Sequence, residues 1–222
     1  MQFVYVKEAC GDVLELDVKA YAHIFKVRRM RLGASLHVRN LLDDILYTYI
    51  IESIDRKKAL LRLVTKKESA CVPKKSLHVG WCVIDPKTIE KTLPMLNEMG
   101  VGKISFVYAQ FSQKNFQIDM QRLNRILISS CEQCGRTVLM ELECISNVQE
   151  YLTLYPQSAI VDFSQSRLNE DATCSHFLIG CEGGFSQEER ALFCEKNIFG
   201  LDSQLILRSE SAVVGVCAKM LL

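Results

Sequence analysis

FLIGCEGGFSQEERALF, residues 177–193, brings an apolar run, a glycine pair and a helix start together in one short stretch. The apolar residues 177–179 have the length and composition of a short buried strand. Gly180, Gly183 and Gly184 then supply a turn that tolerates positive φ angles and lets a ligand approach bare backbone.

A helix start follows the glycine loop. Ser186 and Glu189 have the spacing of a capping box, which predicts that a helix begins here with its backbone N–H groups facing outward near residues 184–187. Strand, loop and helix together form a candidate small-molecule site, although a glycine pair alone fits a simple tight turn equally well. The loop lacks the Gly-Lys-Ser/Thr ending of a phosphate loop, and it lies too late in the chain for a dinucleotide-binding motif.

The composition is that of a globular protein with enough apolar residues to form a hydrophobic core. The chain has 222 residues, 49% of them hydrophobic, which permits one large domain or two small ones. The sequence contains no leader-like start and no apolar run of membrane-spanning length, so we expect an unprocessed, soluble, cytoplasmic protein with no membrane partner. The ten cysteines are scattered along the chain, which is larger than typical disulfide-stabilised secreted domains. This favours reduced thiols over a disulfide framework.

Charge is distributed unevenly along the chain. Residues 1–75 carry 15 Lys and Arg against 9 Asp and Glu, a net of +6, whereas residues 76–222 carry 12 against 17, a net of −5, and the two sum to the formal +1. A basic first part is expected to meet a polyanion. Segment 22–39 is the best candidate for a phosphate-binding face; the alternative is a solvated helix or turn whose cations balance acids elsewhere. Its cations are Lys26, Arg28, Arg29, Arg31 and Arg39, and it has no acid.

The hydrophobic pattern predicts two domains of different class. In residues 1–70, five or so short β segments recur at roughly ten-residue intervals, which predicts a small barrel or sandwich. Residues 65–75 are polar, charged and interrupted by Pro73, so they are predicted to be a linker. From residue 71 onward, apolar strands alternate with helices, which predicts a mainly parallel α/β sheet. The predicted strands lie within 76–84, 103–109, 158–163 and 177–179, and the predicted helices at 88–99 and 119–134.

Cys131 and Cys134 form a CxxC pair near a helix end. Because Cys174 and His176 are the only nearby partners in sequence, and structural zinc needs four well-placed ligands, we expect no metal. A redox role is disfavoured because the pair follows a helix and not a strand, so Cys134 is predicted to be a packing residue. Arg136 is either a salt-bridge partner or an RNA contact.

The C-terminal stretch LILRSESAVVGVCAKMLL, residues 205–222, is the second candidate region. The apolar run 205–207 is followed by Arg208, Ser209, Glu210 and Ser211 just before a predicted helix. An arginine and a glutamate between apolar segments are costly to bury unless paired, which indicates function. The alternative is a buried structural ion pair.

Three motifs in order resemble the RsmE family of ribosomal RNA methyltransferases, which belongs to the SPOUT superfamily. They are EQCGR at 132–136, IGCEGGFSQEE at 179–189 and LRSESA at 207–212, with a weaker EMGV at 98–101. The resemblance covers the whole second half. It implies a PUA-like RNA-binding β-barrel in residues 1–70 and a SPOUT α/β methyltransferase domain with a C-terminal trefoil knot in residues 71–222.

The resemblance also implies a reaction. A homodimer would transfer the methyl group of S-adenosyl-L-methionine to N3 of a uridine in bacterial 16S ribosomal RNA. Arg208 would act electrostatically near the uridine, and Glu210 would hold Arg208 or assist loss of the ring proton. The predicted RNA contacts, which come from the charge pattern, are Lys26, Arg28, Arg29, Arg31 and Arg136. The implied cofactor-binding residues are Leu178, Ile179, Gly180, Glu182, Gly183, Gly184, Leu201, Leu205, Ile206, Leu207, Ser211 and Ala212.

Several positions depart from the family pattern. Cys181 stands where proline is usual, which predicts a looser cofactor loop, and Ser211 stands where threonine is usual. Ser203 and Leu205 lie near the usual glycine and arginine, and residues 161–164 lack a His-Pro pair. A SPOUT enzyme acting on another RNA, and a non-catalytic ribosome-assembly factor, remain alternatives.

Overall fold

The computed structural model describes residues 2–16, 21–27, 29–56, 58–113, 115–169 and 174–222, except the side chains of His23, Lys26 and Val27. The chain divides into two compact units. The first comprises Met1–Val72 with Ile128–Leu139, and the second comprises Pro73–Leu127 with Met140–Leu222. None of the helices in these described ranges is long and apolar enough to cross a membrane.

The first unit is built on a five-stranded sheet with the order β1-β3-β4-β5-β2. β1 pairs with β3 in parallel, and the other neighbours are antiparallel. Register shifts between β4 and β5 bend this long strand pair. Alternate side chains such as Tyr49, Ile51 and Leu61 fill the core. The strands are β1 (Val4–Tyr5), β2 (Val13–Leu16), β3 (Ser35–Arg39), β4 (Ile45–Asp55) and β5 (Lys58–Glu68).

The five predicted β segments of this unit are all present, with a π-helical turn at Ala22–Val27 between β2 and β3. The prediction of a linker over residues 65–75 is wrong at its start, because β5 continues to Glu68. Glu68 is the partner of Ile45 in β4. Polar composition there reflects an exposed strand end and not a loop.

Segment Ile128–Leu139 joins the first unit through hydrogen bonds that the sequence did not predict. Gln2 N donates to Glu132 O over 2.8 Å, and Tyr5 N donates to Glu132 Oε1 over 2.8 Å. Thr137 N donates to Cys71 O over 3.0 Å. The EQCGR motif at 132–136 is therefore part of the packing of this unit.

The second unit contains a six-stranded sheet with the order β11-β9-β10-β6-β7-β8, and every neighbouring pair is parallel. The prediction of a mainly parallel sheet is confirmed. Central β6 is buried at every residue, as expected for a strand covered on both faces. The strands are β6 (His78–Cys82), β7 (Lys103–Val107), β8 (Glu141–Ile145), β9 (Ala159–Val161), β10 (His176–Ile179) and β11 (Ile198–Phe199).

Helices connect these strands. The two predicted helices are confirmed within two residues of their expected starts, and the cap at Asp85 accepts from Thr88 N. Cys131 is buried, but Cys134 is exposed, so the prediction that Cys134 packs is wrong. The helix predicted after the glycine loop is a single turn. The helices are α1 (Pro86–Met99), α2 (Met120–Cys134), α3 (Val148–Leu154), α4 (Gln187–Arg190) and α5 (Ser209–Leu221).

A partly buried polar cluster lies in the amino-terminal halves of β6, β7 and β8. His78 Nε2 and Ser105 Oγ share a hydrogen bond of 2.7 Å, and the Ser105 hydroxyl donates to Glu143. Lys103 Nζ lies 2.9 Å from Glu143 Oε2. Burial, followed by the nearby His176 and Lys103, lowers the pKa of His78 to about 4. His78 therefore stays neutral in the folded protein at neutral pH.

Candidate functional site

The carboxyl ends of β9, β10 and β11 border a cavity of about 790 Å³. Ligands bind at the carboxyl ends of strands in open α/β sheets, and this volume lies within the usual range of ligand sites. Most of the lining comes from three loops, which lie within residues 161–167, 179–185 and 200–212. The glycine loop and the C-terminal stretch, predicted to be two walls of one site, do meet here.

Most residues predicted to bind the cofactor line this cavity. Leu178 does not, because it is a buried residue inside β10, and Ser211 does not, because it lies on the exposed side of α5. The predicted residues found in the lining are Ile179, Gly180, Glu182, Gly183, Gly184, Leu201, Leu205, Ile206, Leu207 and Ala212.

The glycine loop is a tight turn as well as a cavity wall. Gly184 N donates to Cys181 O over 2.9 Å, and Gly184 has φ 68°. A Cβ on Gly183 would lie 3.0 Å from Cβ of Phe111, so a larger residue there would require Phe111 or the loop to shift. Cys181 is 6% exposed, and burial raises the pKa of its thiol. The cysteine in place of proline thus packs inside the turn; whether the loop is looser stays a prediction.

The two cavity walls are joined by the hydroxyl of Ser209. Trp81 Nε1 donates to Ser209 Oγ over 2.9 Å, and Ser209 Oγ donates to Gly180 O over 2.6 Å. Trp81 and Ser209 are both buried. Sequence reasoning assigned neither residue a role, because the contact joins positions that only the folded sheet brings together.

Glu189 connects the helix start to a second loop. The capping box is confirmed: Glu189 N donates to Ser186 Oγ, and Ser186 N donates to Glu189 Oε2 over 2.9 Å. The other carboxylate oxygen accepts from Gln110 N over 2.8 Å. One buried carboxylate therefore fixes both the entry to α4 and the loop after β7.

An ion pair lies along another part of the cavity. Arg190 Nε is 2.8 Å from Asp162 Oδ2, and its Nη2 is 3.2 Å from Oδ1, so the pair is bidentate. The hydrogen bond to Asp162 raises the pKa of Arg190. Asp162 belongs to the segment 161–164 that lacks the family's His-Pro pair. This pair ties β9 to α4 across the glycine loop.

Arg208 and Glu210 do not form the buried ion pair considered as an alternative. The Arg208 side chain is 83% exposed, and its Nη1 is 4.0 Å from Glu210 Oε1. Neither residue is in the cavity lining, although their neighbours Leu207 and Ser209 are. The guanidinium therefore faces solvent, next in sequence to two residues of the cavity lining.

The predicted RNA contacts differ in exposure. Arg29 and Arg31 are exposed. Arg28 and the side chain of Lys26 lie outside the described residues. Arg39 does not belong to an exposed basic face, because it is 4% exposed and donates to Ser69 O over 2.7 Å.

Arg136, predicted as either a salt-bridge partner or an RNA contact, is 6% exposed and donates to Val138 O over 2.7 Å. Burial lowers its pKa. These observations favour an internal role over an RNA contact, since phosphate contacts need an accessible cation.

Comparison with known proteins agrees with this architecture. The family model of an RNA methyltransferase domain matches residues 72–221, and that of an RNA methyltransferase PUA domain matches residues 16–64. A ribosomal RNA small subunit methyltransferase E from Helicobacter pylori J99 is 44% identical over 222 residues, which covers 98% of each protein. This chain belongs to the RsmE family of RNA methyltransferases.

More distant relatives and solved structures match this chain over nearly its full length. The Aquifex aeolicus ribosomal RNA small subunit methyltransferase E is 25% identical over 97% of each protein. The Neisseria gonorrhoeae enzyme, solved with S-adenosyl methionine, has a TM-score of 0.78 at 20% identity over 98% of this chain and 95% of that one. A Legionella pneumophila protein solved with bound SAM has a TM-score of 0.83 at 24% identity over 97% and 94%. The predicted fold class, a PUA-like domain followed by a SPOUT methyltransferase fold, is confirmed.

Proposed function

We propose that this RsmE family member transfers the methyl group of S-adenosyl-L-methionine to N3 of a specific uridine in 16S ribosomal RNA. The observation that carries the proposal is the cavity shared by the glycine loop and the C-terminal stretch, in a chain 44% identical over its length to a named ribosomal RNA small subunit methyltransferase E. The volume of about 790 Å³ suits a nucleoside-sized ligand.

The chemistry of the lining fits this cofactor. Gly180, Gly183 and Gly184 offer backbone groups for its polar edges, and Leu201 and Ile206 offer apolar surface for its adenine. When bound, the cofactor supplies a methyl group already activated by its sulfonium. The protein then needs mainly to align donor and acceptor, which is a large part of the rate enhancement in such transfers.

Arg208 and Glu210 are the proposed groups at the uridine. The exposed Arg208 guanidinium would stabilise negative charge on the uracil oxygens as N3 loses its proton. Glu210 is about a quarter exposed and lies in the first turn of the last helix near Arg208, so it is placed to orient the guanidinium or to accept that proton.

The first unit is the proposed RNA-binding part. Residues 1–70 are proposed to act as the PUA-like RNA-binding domain and residues 71–222 as the methyltransferase domain with a trefoil knot. Arg29 and Arg31, with Lys26 and Arg28, would contact phosphates. We also propose that the protein acts as a homodimer, as the resemblance to the RsmE family implies. We propose that it acts in the cytoplasm, where the ribosome is assembled.

Two measurements test this function. Calorimetric titration with S-adenosyl-L-methionine should show binding by the purified protein, and absence of binding would contradict the enzyme assignment. Mapping methylated uridines in ribosomal RNA from cells with and without the gene should show loss of one N3 mark from the small subunit. If no such mark disappears, the substrate assignment is wrong.

A further inference from the structure

We propose that the Ser209 hydroxyl is a positioning group that holds the glycine loop in its cofactor-binding conformation. Ser209 is the first residue of α5, is 4% exposed and lines the cavity. It lies between an N–H donor at the end of β6 and the first carbonyl of the glycine loop. This inference rests on the proposed function, because it takes the cavity to be the S-adenosyl-L-methionine site.

The hydrogen of the Ser209 hydroxyl has one possible direction. The Trp81 indole N–H can only donate, and the Gly180 carbonyl can only accept. The Ser209 hydroxyl therefore accepts a hydrogen bond from Trp81 Nε1 over 2.9 Å and donates one to the Gly180 carbonyl oxygen over 2.6 Å. The hydroxyl transmits the position of a rigid strand to the loop.

Trp81 is a fixed reference point for this chain of hydrogen bonds. It is 0% exposed, and it lies in β6, where every residue is buried. Gly180 has no side chain of its own to hold it, and a Cβ there would lie 3.3 Å from Cα of Gly184. The loop thus depends on its backbone contacts for its shape.

Removing the hydroxyl leaves a buried indole N–H and a carbonyl without their partner. Proteins relieve such unsatisfied groups by local movement, here of the Gly180 backbone. Since that backbone lines the cavity, the movement lowers affinity for the cofactor while the sheet itself remains intact. A role limited to stability would instead lower stability without a selective loss of affinity.

The experiment compares Ser209→Ala with Ser209→Thr and with Ser158→Ala. Ser158 is 1% exposed and donates to Tyr155 O over 2.8 Å, but it is absent from the cavity lining, so it controls for loss of a buried hydroxyl. Calorimetry with S-adenosyl-L-methionine should show about tenfold weaker binding for Ser209→Ala. Ser209→Thr should stay within about threefold of wild type, and Ser158→Ala should be unchanged.

Steady-state kinetics and fluorescence give two further readouts. The KM for the cofactor should rise about tenfold in Ser209→Ala, with a smaller change in kcat, because loop placement acts mainly on binding. Trp81 is the single tryptophan of the chain, so its emission reports this hydrogen bond directly. The emission of Ser209→Ala should shift relative to wild type and Ser158→Ala.

The possible outcomes distinguish a failure of the Ser209 positioning role from a failure of the proposed function. If wild type binds the cofactor and Ser209→Ala binds equally well, the positioning role is wrong. If wild type does not bind, the cofactor assignment fails and the inference fails with it. Should Ser209→Ala not fold, Trp81→Phe decides the question. That variant removes the link from β6 to the Ser209 hydroxyl, so its affinity for the cofactor should fall about tenfold, and an affinity equal to that of wild type would contradict the positioning role.

Discussion

Lowering the pH from 7 to 5 should destabilise the second unit through His78. Burial lowers its pKa to about 4, whereas the unfolded chain has the ordinary value of 6.5. The unfolded state therefore binds a proton first, so stability is complete above pH 6.5 and is lost as the pH falls toward 4. Integrating between pH 7 and 5 gives a loss of about 2 kcal/mol from this one group, at 1.36 kcal/mol for each pKa unit.

Urea unfolding followed by Trp81 emission measures this loss, because the tryptophan lies in the same strand as His78. His78→Gln should be less stable than wild type at pH 7, since it disturbs the bond to Ser105, but its stability should change less between pH 7 and 5. His37→Gln is the matched control, because His37 is exposed. Equal pH slopes for wild type and His78→Gln would refute the reasoning.

Three other predictions concern the site and the first unit. Arg208→Ala should lower kcat about a hundredfold with little change in cofactor affinity, because its exposed guanidinium lies outside the cavity lining; equal losses of both would contradict its role. Arg29→Glu combined with Arg31→Glu should weaken ribosomal RNA binding and flatten its salt dependence in filter-binding assays, and unchanged RNA affinity would move the RNA face elsewhere. Gly200→Ala should lower the free energy of unfolding by about 1–3 kcal/mol, because its Cβ would lie 2.5 Å from Ser164 O. Gly215→Ala, in helix α5 with nothing within 4 Å, is its control and should stabilise slightly.

The strands that the sequence predicted best are those with a continuous or alternating apolar pattern. β6 and β10 are apolar runs in the centre of the sheet, so burial and composition agree. β8 and β11 were not predicted, because they lie at the two edges of the sheet, where β8 has only one buried residue and β11 has two residues in all. Short edge strands bury too few side chains to show a recognisable apolar pattern in the sequence.

The capping box predicted where α4 begins but not where it ends. Ser186 and Glu189 determine the first turn, whereas the chain turns away after Arg190 and Phe193 packs edge-on against Phe185, with ring centroids 4.9 Å apart. A local motif cannot encode that tertiary contact. The length of α4 could therefore not be predicted from the capping box alone.

The same limit applies to the site. The glycine loop and the stretch 205–212 were predicted to meet because both resemble family motifs, and they do line one cavity. The Trp81–Ser209 contact spans 128 residues and has no local signal. Burial of Arg39 and exposure of Cys134 also depend on neighbours distant in sequence. Sequence reasoning thus found the loops but not the hydrogen bonds that hold them.

The cavity described at the ends of β9, β10 and β11 takes its lining from residues 161–212. During synthesis the strands of the first unit, which end at Glu68, leave the ribosome well before these residues. The nascent chain therefore completes the β-sheet of its first unit while the cavity of the second unit still lacks a wall. The last lining residues, Ser209 and Ala212, belong to helix α5, so translation order delays completion of the cavity until that helix is made.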